Sequence, residues 1–351
     1  MRKRIKQILA GALCFGLAIS DKSALSLGEI NMDKVTVQAA ENVSDITIDG
    51  NNINKENKNG LTYKGFGLLT ANSTSDLLMD YKAEHPEKYV EMLQYLFGGS
   101  KPLMTHVKIE MGNDRNNSTG AESCTMRTED ETANVKRNAG FQLAADAKKI
   151  NPNIKISILR WNTPKWANTT EKQYKWYKNT IMAAYETYGY MVDYINPNRN
   201  EAWSDKTDTE NVKKFAKWIQ EENSDTIKDA KALDLYKKIK FIVSDEAEMI
   251  AKTAVNALYT DEEYKNAVAA IGWHYPYSVA SKSRDGADIL TKDDIIKIAD
   301  EMDKEVWNSE NQAVFSDSAF RPANNTTFKD DSGNVIADSS GLGGTGSALE
   351  M

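Results

Sequence analysis

The sequence has little cysteine, little histidine and no excess of positive charge. Only Cys14 and Cys124 occur in the 351 residues, so the chain has no disulfide scaffold. The histidines His85, His106 and His274 form no metal-ligand spacing, and we expect neither a metal site nor a cofactor. The 44 Lys and Arg residues are outnumbered by 51 Asp and Glu residues, and the net charge of −7 argues against a nucleic acid partner.

The N-terminal apolar run is short. It covers residues 8–19, whereas a helix that spans a bilayer needs about 20 apolar residues. Four cations in residues 1–7 precede it, which is typical of a secretory signal peptide. We therefore predict a signal peptide and leader over residues 1–40, cut after Ala39 or earlier near Ser26, and an N-terminal extension or first strand over 41–60. The protein is expected to be secreted or held at the surface of a bacterial cell, without stable membrane insertion.

From about residue 60, short apolar runs alternate with longer amphipathic stretches, and residues 316–346 are rich in loop-forming residues. This alternation indicates β/α units on a parallel sheet, with seven of the eight units of a TIM-type (β/α)8 barrel. The predicted strands cover residues 63–69, 105–111, 154–161, 191–195, 239–244, 268–274 and 305–308. The predicted helices cover residues 75–97 with a break at Pro86, 134–150, 172–188, 209–222, 246–257 and 292–303.

Two glutamates follow predicted strands. Glu201 comes after the fourth strand, next to Asn200, and Glu310 comes after the seventh. Because active sites of β/α barrels lie at the C-terminal strand ends, these carboxylates are expected to face each other across the barrel mouth.

Aromatic side chains are expected around this pair. Trp161 ends the third strand, and His274 and Tyr275 end the sixth, so all three are candidates to line the site. Asp245 and Glu246, after the fifth strand, are interpreted instead as the start of a helix, where carboxylates suit the helix dipole.

Paired carboxylates with aromatic neighbours suit glycoside hydrolysis. One carboxyl donates a proton to the leaving oxygen while the other, ionised, attacks the anomeric carbon, and a retaining enzyme holds them about 5–5.5 Å apart. The amide of Asn200 suits the sugar 2-hydroxyl. A single Glu after a strand is more often a solvated surface charge, but two of them in Asn, Ser and Trp surroundings favour a site.

The sequence resembles glycoside hydrolase family 59, the galactocerebrosidases. The resemblance runs in family order from about residue 60 to the C terminus. Its matching stretches are 65–67 (GFG), 73–78 (STSDLL), 95–97 (YLF), 107–114 (VKIEMGND), 151–154 (NPNI), 161–166 (WNTPKW), 272–276 (GWHYP) and 308–310 (NSE).

The resemblance implies a retaining β-galactosidase that cleaves galactosyl lipids such as galactosylceramide by a two-glutamate double displacement. It implies that Glu201 is the acid/base and that Glu310 is the nucleophile. It also implies that Asn200 is a substrate ligand and that Trp161 forms the wall beneath galactose. A further sugar contact is implied at Ser118, or at Thr119 if the loop slips by one residue.

Two departures from the family bear on the choice of sugar. Arg199 stands where the family usually has Trp, and Ala313 replaces a Ser that contacts galactose. Two alternatives therefore stay open: a retaining glycosidase for another β-linked glycan, such as xylan or glucan, and a truncated, non-catalytic carbohydrate-binding relative. Residues 343–351 resemble the start of the family's seventh helix. The barrel is thus expected over 61–351, truncated before its eighth strand and completed by a downstream polypeptide.

Overall fold

The computed structural model describes residues 63–115, 120–200, 206–247, 251–274, 297–298, 300–310, 327–329 and 335–338. The predicted signal peptide, the leader and the 41–60 extension lie outside these residues. None of the helices in the described ranges has the length and apolar character needed to cross a membrane.

Seven parallel strands form one sheet, and their spatial order is their order in the chain. They make a nearly closed α/β barrel, which confirms the predicted fold class. The strands are β1 (Phe66–Thr70), β2 (Met104–Glu110), β3 (Lys155–Arg160), β4 (Tyr194–Arg199), β5 (Lys240–Ala247), β6 (Val268–His274) and β7 (Glu305–Glu310). Because all seven run in one direction, their C-terminal ends lie on one face of the barrel.

Helices connect the strands and begin and end where local chemistry favours it. Thr169 accepts a hydrogen bond from the backbone of Lys172 at the start of one helix, and Gly189, at φ 79°, ends it. The helices are α1 (Thr74–Glu84), α2 (Pro86–Phe97), α3 (Ala139–Ile150), α4 (Thr170–Tyr188), α5 (Lys206–Glu221), α6 (Ala230–Tyr236), α7 (Ala251–Thr260) and α8 (Glu262–Ala267), and residues 297–298 and 300–302 are also helical.

The structure corrects the expected helix start after β5. Asp245 and Glu246 belong to the strand, and the described part of the following helix, α7, is Ala251–Thr260. Ser244 and Asp245 have φ angles of 67° and 59°, and the pairing with β6 shifts between Ser244 and Glu246. This bulge lengthens the strand and re-aims its side chains, which helix-dipole reasoning could not anticipate.

Five further elements differ from the prediction. Strand β4 begins at Tyr194 and continues to Arg199, so it lies C-terminal to the predicted 191–195. The short helices α6 and α8 were not predicted. The long loop predicted over 316–346 is wrong at two places, where β8 (Thr327–Lys329) and β9 (Val335–Asp338) pair as antiparallel strands. The barrel lies in one compact unit, Lys55–Gln312, while β8 and β9 belong to another.

The outward side chains of the barrel strands are mainly apolar, whereas the inward side chains are polar, aromatic and aliphatic. Outward residues such as Val107, Ile109, Ile156 and Ile195 join the main core beneath the helices. The inward positions alternate with them, as expected for a period of two along a strand. One inner layer contains His106, Ser157, Tyr194 and Trp307, which contact one another.

Candidate active site

The C-terminal strand ends bring together three of the predicted site residues. The backbone N–H of Asn200, after β4, donates to the carbonyl of Arg160 at 2.7 Å and fixes Asn200 beside the end of β3. The side-chain amide of Asn200 lies 3.5 Å from Oε2 of Glu310, at the end of β7. Asn200, Glu310 and Trp161 are all buried. One candidate carboxylate, one amide and one indole therefore lie together at the mouth of the barrel.

Trp161 and Asp245 determine how the Asn200 amide is turned. The indole N–H of Trp161 can only donate, so it requires an acceptor. With Oδ1 of Asn200 turned toward it, the indole N–H donates across 3.0 Å. Oδ1 is then also the amide atom that lies 3.5 Å from Oε2 of Glu310, so that approach is a contact and not a hydrogen bond. In that orientation Nδ2 of Asn200 donates to the backbone oxygen of Asp245 at 3.1 Å and to its Oδ2 at 3.3 Å. The amide is thereby held from both sides, by β3 and by β5.

A buried ion pair lies next to this amide. Nζ of Lys108, on β2, is 2.6 Å from Oδ1 of Asp245, and both side chains are almost wholly buried. Lys108 also donates to the carbonyl of Ser309 at 3.1 Å. Asn196, on β4, approaches Oδ2 of Asp245 at 3.5 Å. Burying two charges is costly unless they are paired and hydrogen-bonded, and these contacts meet that condition.

Several predicted site residues lie outside the described residues: Ser118, Thr119, Glu201 and Tyr275. For His274 only the backbone is described, and it pairs in register with Glu310. The distance between the two candidate catalytic carboxylates therefore stays a prediction, as do the roles assigned to these residues.

A second pair of carboxylates lies beneath the loops that follow β1 and β2. Glu110 and Glu122 are both fully buried. Oε2 of Glu110 accepts the backbone N–H of Asn72 at 2.9 Å, and Oε1 of Glu122 accepts that of Ser73 at 2.8 Å. Burial, and then the nearby Glu110, raise the pKa of Glu122 to about 7.

The inner layer below the mouth contains a neutral histidine. A ring nitrogen of His106, Nε2, lies 2.8 Å from Oγ of Ser157, and Trp307 packs edge-on with ring centroids 5.2 Å apart. Burial, and then the Lys108 cation, lower the pKa of His106 to about 4. His106 is therefore a packed side chain of the barrel interior that stays uncharged near neutral pH.

Sequence reasoning missed Lys108, Asp245 and Glu122. Lys108 did carry a signal, since a cation sits between Val107 and Ile109 in a strand. Asp245 also carried a signal, since it follows the fifth predicted strand, but it was interpreted as the start of a helix. Glu122 does not stand out among the 51 acidic residues, and only its burial distinguishes it. Within the described ranges, no group of three or more His, Cys, Asp and Glu side chains is arranged to hold a metal ion.

Two solved structures match part of this chain. SrfJ from Salmonella typhimurium matches with a TM-score of 0.51 and 16% identity, covering 73% of this chain and 58% of that one. The catalytic domain of the GH30 xylanase C from Talaromyces cellulolyticus matches with a TM-score of 0.39 and 14% identity, covering 62% of this chain and 54% of that one. At these identities the likeness to SrfJ concerns the fold alone, and the weaker likeness carries no argument.

Curated relatives match most of the chain but only part of their own length. The galactocerebrosidase of Danio rerio is 27% identical over 269 residues, which cover 74% of this chain and 35% of the relative. The galactocerebrosidase of Homo sapiens is 27% identical over 266 residues, with coverages of 71% and 35%. The chain thus spans about a third of the length of these relatives. The family model for glycosyl hydrolase family 59 matches residues 63–333. The chain belongs to glycosyl hydrolase family 59.

Proposed function

We propose that the chain is the catalytic barrel of a retaining glycoside hydrolase that releases terminal β-linked galactose. The observation that carries this proposal is the buried Glu310, at the end of β7, with the side-chain oxygen of Asn200 3.5 Å away and the indole N–H of Trp161 donating to that oxygen. A carboxylate at a strand end, beside an amide and an aromatic wall, suits an attack on the anomeric carbon of a sugar.

In the proposed reaction, Glu310 attacks the anomeric carbon while Glu201 donates its proton to the departing oxygen. The glycosidic bond breaks and a covalent glycosyl ester forms on Glu310. Glu201, now ionised, takes a proton from water, which attacks the same carbon and frees Glu310. The two inversions together retain the β configuration. Asn200 holds the 2-hydroxyl of the sugar, where hydrogen bonding strengthens in the transition state.

The proposed substrate is a galactosyl lipid of the galactosylceramide type. The support comes from the family and from relatives that are named galactocerebrosidases. Arg199 and Ala313, which depart from the family pattern, keep a β-xyloside or a β-glucoside as the alternative sugar. A non-catalytic carbohydrate-binding role is the remaining alternative.

The test uses a panel of nitrophenyl β-glycosides with the wild-type chain, a Glu310→Ala variant and a Glu310→Gln variant. We expect cleavage of the galactoside with retained configuration, and loss of turnover in both variants. A 2-deoxy-2-fluoro galactoside should trap a covalent ester on the peptide that contains Glu310. Cleavage of xyloside or glucoside without galactoside would favour the alternative sugars. Sugar binding without any hydrolysis would favour the non-catalytic role.

We also propose that the protein is exported and that a further polypeptide segment completes the barrel. Among the described strands, β1 and β7 each have one sheet neighbour, so each leaves an edge unpaired. Phe66 on β1 is 60% exposed. At the N-terminal ends of these two edge strands, Nζ of Lys64 lies 3.7 Å from Oε1 of Glu305. We expect the chain alone to melt at a lower temperature and to turn over more slowly than the chain completed by that segment, and equal stability and activity of the two would contradict this.

A further inference from the structure

The ion pair between Lys108 and Asp245 connects the two halves of the candidate site. Lys108 donates to the carbonyl of Ser309, the residue directly before Glu310 on β7. Asp245 receives the side-chain amide of Asn200, the residue directly before Glu201. The same ionic centre therefore contacts the residue that precedes each candidate catalytic glutamate.

Stability alone does not account for this arrangement. Buried ion pairs are generally no more stabilising than well-packed apolar side chains of the same volume. The backbone around Asp245 is also strained. Ser244 and Asp245 both lie in the left-handed region, at φ 67° and 59°, which is costly for residues other than glycine. The bulge brings Asp245 to Lys108, which lies three strands away in the sheet.

Strand β6 packs closely against the ion pair and against Ser309. A Cβ atom added at Gly272, on β6, would lie 2.7 Å from Oγ of Ser309 and 3.1 Å from Oδ1 of Asp245. The backbone of β6 thus packs directly against both residues. Five strands, β2, β4, β5, β6 and β7, converge on one cation and one carboxylate.

We propose that Lys108 and Asp245 are positioning residues for the glycosidase reaction. Lys108 holds the Ser309 carbonyl and so fixes the backbone that carries Glu310. Asp245 holds the Asn200 amide and so fixes the strand end that carries Glu201. Neither side chain needs to touch the sugar. This inference rests on the proposed function, because it assigns the pair to the geometry of that reaction.

The test replaces both charges at once, because removing one partner alone would leave an unpaired buried charge and destabilise the fold. The double variant Lys108→Met/Asp245→Asn keeps the volume of both side chains, and asparagine tolerates the left-handed backbone at position 245. The matched control is Lys178→Met/Glu222→Gln, which removes another partly buried ion pair, with atoms 2.5 Å apart, on α4 and after α5.

We expect the Lys108→Met/Asp245→Asn variant to melt within a few degrees of the wild-type chain while its kcat falls roughly 100-fold, since small misplacements of reacting groups have effects of this size. KM for the nitrophenyl galactoside should change by no more than roughly threefold, because the sugar contacts remain. The Lys178→Met/Glu222→Gln variant should keep its kcat. A double variant with wild-type kcat and wild-type stability would overturn the proposal.

A second measurement separates this inference from the proposed function. Crystal structures of the wild-type chain and of both double variants would show the position of the Glu310 carboxylate. We expect a displacement of more than about 0.5 Å in Lys108→Met/Asp245→Asn alone, which is the tolerance of a productive site. If the wild-type chain hydrolyses no glycoside, the proposed function fails. If Glu310 stays in place in the Lys108→Met/Asp245→Asn variant, the positioning role fails.

Discussion

Glu110 and Glu122 both accept hydrogen bonds from the backbone turn that follows β1. The N–H groups of Asn72 and Ser73 are consecutive, and each donates to a different one of the two buried carboxylates. Asn72 and Ser73 have φ angles of 54° and 60°, so this turn adopts a left-handed conformation that non-glycine residues seldom take. The two carboxylates hold it in place after β1. Burial, and then the nearby Glu110, raise the pKa of Glu122 to about 7.

The first prediction concerns the pH dependence of stability. The folded-state pKa of Glu122 lies above its ordinary 4.5, so the folded chain binds this proton more tightly than the unfolded chain. The protonated Glu122 therefore contributes to the free energy of unfolding. This contribution is fully present below about pH 4.5 and is lost as the pH rises through about 7. We expect the wild-type chain to lose roughly 1–3 kcal/mol of its free energy of unfolding over this pH range. The Glu122→Gln variant should not show this loss, because its side chain stays neutral and still accepts from Ser73.

The measurement is the melting temperature between about pH 4 and about pH 8 for the wild type and Glu122→Gln. Glu221→Gln is the control, because Glu221 is exposed on α5 and its neutralisation should leave the profile unchanged. If the Glu122→Gln profile falls between pH 4.5 and 7 as steeply as that of the wild type, Glu122 is not the titrating group.

The second prediction concerns His106 and has the opposite sign. Its folded-state pKa of about 4 lies below its ordinary 6.5, so the folded chain favours the neutral ring. This contribution is present above about pH 6.5 and is lost as the pH falls through about 4. We expect the double variant His106→Phe/Ser157→Ala, which removes both partners of one hydrogen bond, to lose less stability in acid than the wild type.

Melting curves over the same pH range test the role of His106. Ser157→Ala alone is the control, because it leaves the histidine in place to titrate. We expect it to retain the acid-dependent loss. An identical loss in the double variant would assign the acid sensitivity to other groups.

The third prediction concerns the close packing at Gly272. We expect Gly272→Ala to push Ser309 and Asp245 aside, because its new Cβ would meet the Ser309 side chain at 2.7 Å. Activity on the nitrophenyl galactoside should fall roughly tenfold, and stability should fall by about 1–3 kcal/mol. The double variant Gly272→Ala/Ser309→Ala removes the hydroxyl in the way and should recover part of both. No recovery would show that the clash lies elsewhere.

The fourth prediction separates two roles of the Trp161 indole, as a flat ring beneath the sugar and as a hydrogen-bond donor to Asn200. Trp161→Phe keeps a flat ring for the sugar but removes the N–H that donates to Asn200 across 3.0 Å. We expect kcat to fall roughly 3- to 10-fold, the effect of one net hydrogen bond. Trp166→Phe is the matched control, since the Trp166 indole donates instead to the carbonyl of Met126 at 2.9 Å. Equal effects on kcat in the two variants would argue against an orienting role for Trp161.

The order and direction of the strands followed from the sequence. Apolar runs that alternate with amphipathic stretches indicate β/α units, because each strand must be covered by the helix that follows it. Parallel strands end on one face, so Trp161, Asn200 and Glu310 could be expected near one another, and the structure places them there. The roles of these residues, and that of Glu201, stay predictions. The hydrophobic pattern was enough to predict the order and direction of the strands, because these depend on the length of the connections and not on detailed packing.

Only the tertiary structure shows which charged side chains are buried inside the barrel and which of them pair. Asp245 follows an apolar run and would suit the start of a helix, but the bulge in β5 turns it toward Lys108, whose charge requires a partner. Glu122 is an ordinary loop glutamate in sequence, and it becomes a buried group only because Glu110 and the β1 turn close over it. A buried charge is satisfied by groups that are distant in sequence, here 137 residues apart for Lys108 and Asp245. The sequence by itself therefore determined the barrel and the strand ends that carry the candidate site, whereas the folded chain decided which charges meet inside it.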